Sequence, residues 1–392
     1  MDLFTVRFWL VFGLAFFLLN SLKNGTARKW AFALVNLGFL GLYLTSGVLV
    51  VIVLIAMSWV VIKLAAQEGK VATLAMSLGG LGLLCLFLIH KLPSPNWTVG
   101  HYRINAIFTT LGFSYVALRL VDVTRAVADK RYPPPDPIAL VNYLIPFHML
   151  AAGPIQSYDD FVKQPAVPEP AKVPEALAAW DLIATGLFKK YVLADLIERI
   201  FLTGFRVEGP YMFFEAQLNY IWIYLDFSAY SDIALGLGSL MGVATPINFN
   251  RPYLARNVID YWERWHISLS LFIRRHLFTP IQLWLMRSTD GRFPIASASI
   301  AFFVSFLLCG LWHSVGPVWL IWGVLHALAL IVCNLYKSFL LKRLGRNGVK
   351  NYLANPWIRV AAIFLTFEFI AAVSVVVTYP ISELTWWNAY PR

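Results

Sequence analysis

Charge is the scarcest property of this 392-residue chain: 14% of its residues are Asp, Glu, Lys or Arg, against 59% hydrophobic. With a mean hydropathy of +0.66, that balance excludes an ordinary soluble globular protein. Cysteine is almost missing too. Cys85, Cys309 and Cys333 fall in apolar runs at spacings that fit no metal motif, so they read as small buried hydrophobes. The sequence holds no GxxxxGK[ST] loop or dinucleotide fingerprint, no GxSxG and no HExxH, which leaves phosphate-loop, serine-hydrolase and zinc-protease chemistry without support. Nor is there an internal repeat or a recognisable soluble domain.

Long apolar runs fill the space that charge leaves. They include Phe8–Leu19, Trp30–Leu44, Val48–Ile62, Val71–Ile89, Ile104–Val121, Ile138–Ala152, Leu182–Phe201, Tyr211–Leu225, Ile233–Val243, Ile295–Leu311, Val318–Tyr336 and Ile358–Thr378. A helix crosses a bilayer in about 20 apolar residues, so several of these fit one crossing each. Phe8–Leu19 and Ile233–Val243 are short and read as half-spanning or re-entrant pieces. The expectation is an all-α polytopic membrane protein with about eleven membrane helices plus interfacial or re-entrant helices, forming one membrane-embedded domain over residues 1–392. The N-terminal run lacks a small-x-small cleavage site and reads as a retained first helix.

The net charge of +11 follows the positive-inside rule better than it fits a nucleic-acid surface, because no basic domain lies outside the apolar runs. Lys and Arg cluster at Lys23–Lys29, Lys63–Lys70, Arg125–Arg131 and Lys337–Lys350. These segments are expected on the cytoplasmic side, with both termini outside and Trp386 and Trp387 as an outer anchor.

Against that background one segment is unusually polar. Asn250–Pro280 reads NRPYLARNVIDYWERWHISLSLFIRRHLFTP and sets Asp260, Glu263, Arg264, His266, Arg274, Arg275 and His276 among bulky aromatics. The expectation is an amphipathic helix at the cytoplasmic boundary of the membrane. It would be capped by Asn257 with Asp260 near its positive end, stopped by Pro280, and would carry Trp262, Trp265, His266, Leu269 and Ile273 on one face. Asp260 and Arg264 are spaced to pair, and Glu263 is placed to reach the His266 ring. A second histidine, His313, follows in CGLWHSVGP within an apolar run. Imidazoles so placed are hydrogen-bonded or used, and a neutral imidazole suits proton removal from an attacking hydroxyl.

His313 and His266 are therefore the candidate catalytic pair. Trp262, Glu263, Arg264, Trp265, Ser268 and Trp312 flank them as candidate substrate- or donor-binding residues. Tyr230 and Asp232 join them from YLDFSAYSDIALGLGSLMG. In that run Asp226 and Asp232 need partners such as Lys189, Lys190 or Arg251, and Gly236, Gly238 and Gly242 suit close helix packing. No metal site is expected.

The stretch FSAYSDIALGLGSLMGVATPINFNRPYLARNVIDYWERWHISLSLFIRRHLFTP, followed by GLWH, resembles the membrane-bound O-acyltransferase (MBOAT) family. The resemblance is to the bacterial branch that includes alginate O-acetyltransferase and teichoic-acid D-alanyl transferase, and it is dense from about residue 146 to 326. It implies an all-helical fold around a central tunnel joining the two membrane faces, a catalytic histidine at His313, and a donor entrance near His266. It also implies an inner-membrane enzyme that moves an acyl group, acetyl being favoured, from a cytoplasmic thioester to a hydroxyl of an envelope polysaccharide or a periplasmic partner. Acetyl-coenzyme A or a phosphopantetheinyl carrier would be the donor, with no tightly bound cofactor. The arginines around His266 would face an anionic donor or lipid headgroups. A D-alanyl transferase, or a transporter or scaffold for envelope precursors, are the alternatives.

Overall fold

A computed structural model describes residues 4–44, 47–91, 98–99, 102–103, 112–150, 152–168, 172–202 and 211–378. Apart from a two-residue antiparallel pairing of Thr98–Val99 with Tyr102–Arg103, its regular elements are helical. They form two compact units, Met1–Thr185 with Tyr230–Pro246 and Gly186–Ala229 with Ile247–Arg392.

The first unit begins with α1 (Val6–Ser21), α2 (Gly25–Leu44), α3 (Gly47–Ala65) and α4 (Lys70–Lys91). It continues with α5 (Phe113–Ala128), α6 (Pro137–Leu144), α7 (Tyr158–Val162) and α8 (Val173–Phe188). Polar residues set the helix ends. The Asn24 side chain accepts from the Thr26 and Ala27 amides at the start of α2. Asp136 does the same for Ile138 and Ala139 at α6, with Pro137 supplying the preset first-turn φ. Buried Arg28 donates to the carbonyls of Leu19 and Met241, satisfying acceptors that helix C-termini leave open. Arg119 is fully buried and donates to the carbonyls of Leu144, Met149 and Pro154.

Helix α9 (Tyr211–Met241) is one 31-residue helix, so the runs Tyr211–Leu225 and Ile233–Val243 are two parts of a single element. Residues up to Ala229 belong to the second unit and those from Tyr230 to the first. Gly236 is required for packing: a Cβ there would lie 2.6 Å from the Ala179 carbonyl oxygen of α8.

The second unit adds α10 (Val258–Trp262), α11 (Ile267–Ile273), α12 (Thr279–Ser288), α13 (Pro294–His313), α14 (Pro317–Ala354, kinked at Gly345) and α15 (Pro356–Thr378). The single helix expected over Asn257–Pro280 is broken. The chain leaves α10 at Glu263, His266 takes a left-handed conformation (φ 43°), and α11 starts after it. Pro280 does not stop the helix: α11 continues through a π-helical turn at Arg274–Phe278 into α12, and that turn accommodates the proline's missing N–H.

Five helices among the described residues are long and apolar enough to cross a membrane: Gly47–Ala65, Lys70–Ile89, Pro294–His313, Pro317–Ala354 and Pro356–Thr378. Val6–Ser21 and Pro137–Met149 are shorter apolar helices. The count of about eleven expected from the runs therefore stands above what length and composition of the helices give. Part of the Ile104–Val121 run, and the C-terminal tail with Trp386 and Trp387, lie outside the described residues. Cys85 is exposed on α4 rather than buried, while Cys309 is buried.

Candidate active site

The break at His266 is built by one side chain. Asn248 Oδ1 accepts from His266 Nδ1 (3.1 Å), from the Ser268 amide (3.2 Å) and from the Ser268 hydroxyl (2.8 Å). The Asn248 carbonyl accepts from the Ile267 amide, and the Asn250 amide donates to the Arg264 carbonyl. These bonds hold a left-handed, non-glycine residue that would otherwise be strained. They also fix the proton on Nδ1, so Nε2 carries the lone pair. Burial pushes the His266 imidazole down to about 3, and nearby His313 acts in the same direction. His266 is thus neutral at physiological pH.

Below this turn, the Asn257 side chain caps α10 by accepting from the Asp260 amide (2.9 Å). Burial disfavours the Asp260 carboxylate, but the Arg256 amide and the Arg264 and Arg256 guanidinium groups outweigh it and hold its carboxyl below the usual range. The expected Asp260–Arg264 pair is present at 2.7 Å.

His313 ends α13. Its ring stacks on Trp319 (4.4 Å, 12°) and meets Trp322 edge-on (5.4 Å). It is half-buried, whereas His266 is 3% and His326 is 2% exposed. All three imidazoles line one cavity of about 180 Å3, walled mainly by aromatic rings, with no Asp or Glu among the described lining residues. His326 Nδ1 is 3.0 Å from the Trp322 carbonyl and donates to it. This is a mainly aromatic chamber lined by three imidazoles, which suits base-assisted attack by a hydroxyl.

Of the residues singled out from sequence, His313, His266, Trp262 and Trp265 line this cavity. Ser268 is buried and serves the Asn248 bonds. Trp312 packs edge-on to His313 at 4.7 Å without lining the cavity. Arg264 is engaged by Asp260. Glu263 is exposed, and the His266 ring bonds Asn248 instead, which corrects the Glu263 pairing. Tyr230 and Asp232 belong to the first unit. There the Tyr230 hydroxyl donates to the His148 carbonyl (3.3 Å), and Asp232 is half-buried. Asp226 pairs with Lys190 at 2.6 Å, as one of the expected ion pairs.

Sequence reasoning passed over Asn248 and His326. Trp319, Trp322 and His326 do recur at i, i+3 and i+7, which is a readable helix face. Asn248 gave no such signal, because its role depends on a loop folding back.

A sequence profile described as MBOAT, membrane-bound O-acyltransferase family, matches residues 60–374. The chain belongs to the membrane-bound O-acyltransferase family. This MBOAT protein is similar to the "Teichoic acid D-alanyltransferase" of Bacillus subtilis (strain 168), with 27% identity over 302 residues, 74% of this chain and 73% of that protein. It is also similar to the "Peptidoglycan O-acetyltransferase" of Helicobacter pylori, at 35% over 193 residues, 48% of this chain and 33% of that protein. The "Probable alginate O-acetylase AlgI" of Pseudomonas aeruginosa matches at 31% over 194 residues, 47% of this chain and 35% of that protein. The chain thus spans about a third of the length of these two acetylating relatives. It is an MBOAT acyltransferase with relatives named for two different acyl groups.

Proposed function

We propose that this MBOAT protein transfers an acetyl group from a cytoplasmic thioester to a hydroxyl of a cell-envelope polysaccharide or a periplasmic partner, with His313 as general base. The observation that carries the reading is the aromatic cavity holding His313 beside neutral His266, with no carboxylate among its described lining residues. In the step itself, the acceptor hydroxyl gives its proton to His313 as its oxygen attacks the thioester carbonyl carbon. The tetrahedral intermediate collapses, the C–S bond breaks, and the leaving thiolate takes back the proton from the His313 imidazolium. The acyl group ends on the acceptor oxygen, and a free thiol leaves. The donor, acetyl-coenzyme A or a phosphopantetheinyl carrier, is a substrate. We assign His266, held by Asn248, to the donor side of this chamber, a reading supported by the course of α11 from it toward exposed Arg274. The inner membrane is the compartment in which a cytoplasmic donor and an envelope acceptor both have access.

D-alanyl transfer is the second reading, favoured by the 73% span of the Bacillus relative. A D-alanyl group brings a primary ammonium that needs partners, and the cavity walls offer aromatic faces and the Tyr220, Tyr261 and Ser374 hydroxyls. Acetyl fits without that demand.

His313→Ala should accumulate normally in the membrane and lose acyl transfer by at least ~10²-fold. The readout is mass spectrometry of envelope glycans from cells carrying the wild type, the variant or no protein. Near-normal acylation with the variant would refute His313 as base. A mass increment of alanine rather than acetyl would move the assignment to the second reading.

A further inference from the structure

A second cavity, of about 350 Å3, lies in the same unit. Its walls are mainly apolar, including Leu271, Phe302, Phe306 and Leu330, with Glu263 and Arg274 at exposed positions. Among the described residues, Trp262 alone lines both this cavity and the histidine chamber. Its ring meets Phe306 of the second cavity edge-on at 4.9 Å, and Trp322 and His326 of the first at 5.8 and 5.5 Å. Trp262 is 6% exposed, and its Nε1–H has no hydrogen-bond partner among the described residues. The ring is therefore held by packing alone, and it stands at both cavities.

We propose that Trp262 is a partition that sets the upper length of the acyl group this enzyme accepts, the cavity behind it being the space a longer aliphatic chain would need. This rests on the acyl-transfer reading above. The histidine chamber, about 180 Å3, must hold the thioester carbonyl and the attacking hydroxyl together. At roughly 30 Å3 for a water-sized group, little is left for additional methylenes. The second cavity has about twice that volume and an apolar lining suited to an alkyl tail. With the indole in place, a longer chain meets the ring. Without it, the two spaces join.

The test uses the purified full chain in lipid nanodiscs with acetyl-, butyryl-, hexanoyl- and octanoyl-pantetheine, the arm common to coenzyme A and carrier-protein donors, and a soluble peptidoglycan digest supplying the acceptor hydroxyls. Thiol release gives the rate. Wild type should fall at least ~10-fold from acetyl to hexanoyl, a discrimination that even one misfit methylene can supply. Trp262→Ala should raise the hexanoyl-to-acetyl ratio by at least ~10-fold. Adding Ser305→Phe, at a buried residue lining the second cavity, should return the ratio to the wild-type value. Trp262→Phe keeps a smaller ring and should extend acceptance to butyryl, and it supplies the readout if Trp262→Ala does not accumulate. An unchanged ratio in the Trp262 variants, with acetyl turnover present, overturns the partition. Wild-type protein inert toward every thioester, acetyl included, overturns the acyl-transfer reading and the partition with it.

Discussion

Asn248 shows how much a single side chain can decide. One amide oxygen gathers the Nδ1–H of His266 and both donors of Ser268. Through them it sets the tautomer of a buried imidazole and the left-handed turn that points the chain into α11. Asn248→Ala would strand three donors in a buried place, each worth about 1–3 kcal/mol when left unsatisfied. The variant should lose on the order of 3 kcal/mol or more of stability, and acyl transfer with it. Asn248→Asp, which keeps an acceptor oxygen, should recover part of the stability. Thermal unfolding in detergent separates these outcomes, and equal losses in both variants would show that the amide does not hold the ring. Neighbouring Ser268, a candidate substrate contact from its place two residues after His266, is part of this same bond network.

At the scale of elements, the tightest constraint is the α13–α14 hairpin that carries His313. A Cβ at Gly310 would overlap the Trp319 carbonyl oxygen, and one at Gly323 would lie 2.6 Å from the Phe306 carbonyl oxygen. The helices touch through backbone, and that closeness places Trp319 and Trp322 against the His313 ring. Gly323→Ala should destabilise by about 1–3 kcal/mol and lower acyl transfer by loosening the stack. Gly316→Ala, at an extended position (φ −164°) with nothing within 4 Å of a new Cβ, should stay within ~0.5 kcal/mol of wild type. Thermal unfolding of the two variants checks this, and equal effects would mean that backbone proximity does not govern the hairpin. Much of this level was legible in the sequence: the apolar runs became helices, Asn257 caps α10, and Asp260 pairs with Arg264. The break at His266 was not, because Trp262, Trp265, His266 and Leu269 satisfy helical spacing whether or not the helix is continuous. They reach one cavity in either case. Pro280 misled for a different reason, since a π-helical turn at Arg274–Phe278 lets the helix run on past a ring that would otherwise end it.

For the whole molecule, the question is which membrane face each end of the cavity meets. Along α14, Trp319 and Lys337 are 18 residues apart, about 27 Å at the helical rise, close to the ~30 Å hydrocarbon thickness. Basic residues crowd the far end, at Lys337, Lys342, Arg343, Arg346 and Lys350, which the positive-inside rule assigns to the cytoplasm. His313, Trp319, Ser374 and Val377 then gather at the opposite ends of α13, α14 and α15. The histidine chamber would thus lie toward the outer face, where an envelope hydroxyl can reach it. Leu330 and the cavity behind Trp262 would lie deeper, on the donor's approach. The segments Leu22–Lys29, Thr124–Asp136 and Leu341–Lys350 should be cytoplasmic, and Ser382–Arg392, outside the described residues, should face outward. Single cysteines at Asn347 and Asn388 test this once Cys85, Cys309 and Cys333 are replaced, and neither substitution alters the charges that set orientation. An impermeant thiol reagent applied to intact cells should label the cysteine at 388 and spare the one at 347. The reverse pattern would turn the map over, placing His313 on the donor's side and leaving the deeper cavity open to the acceptor.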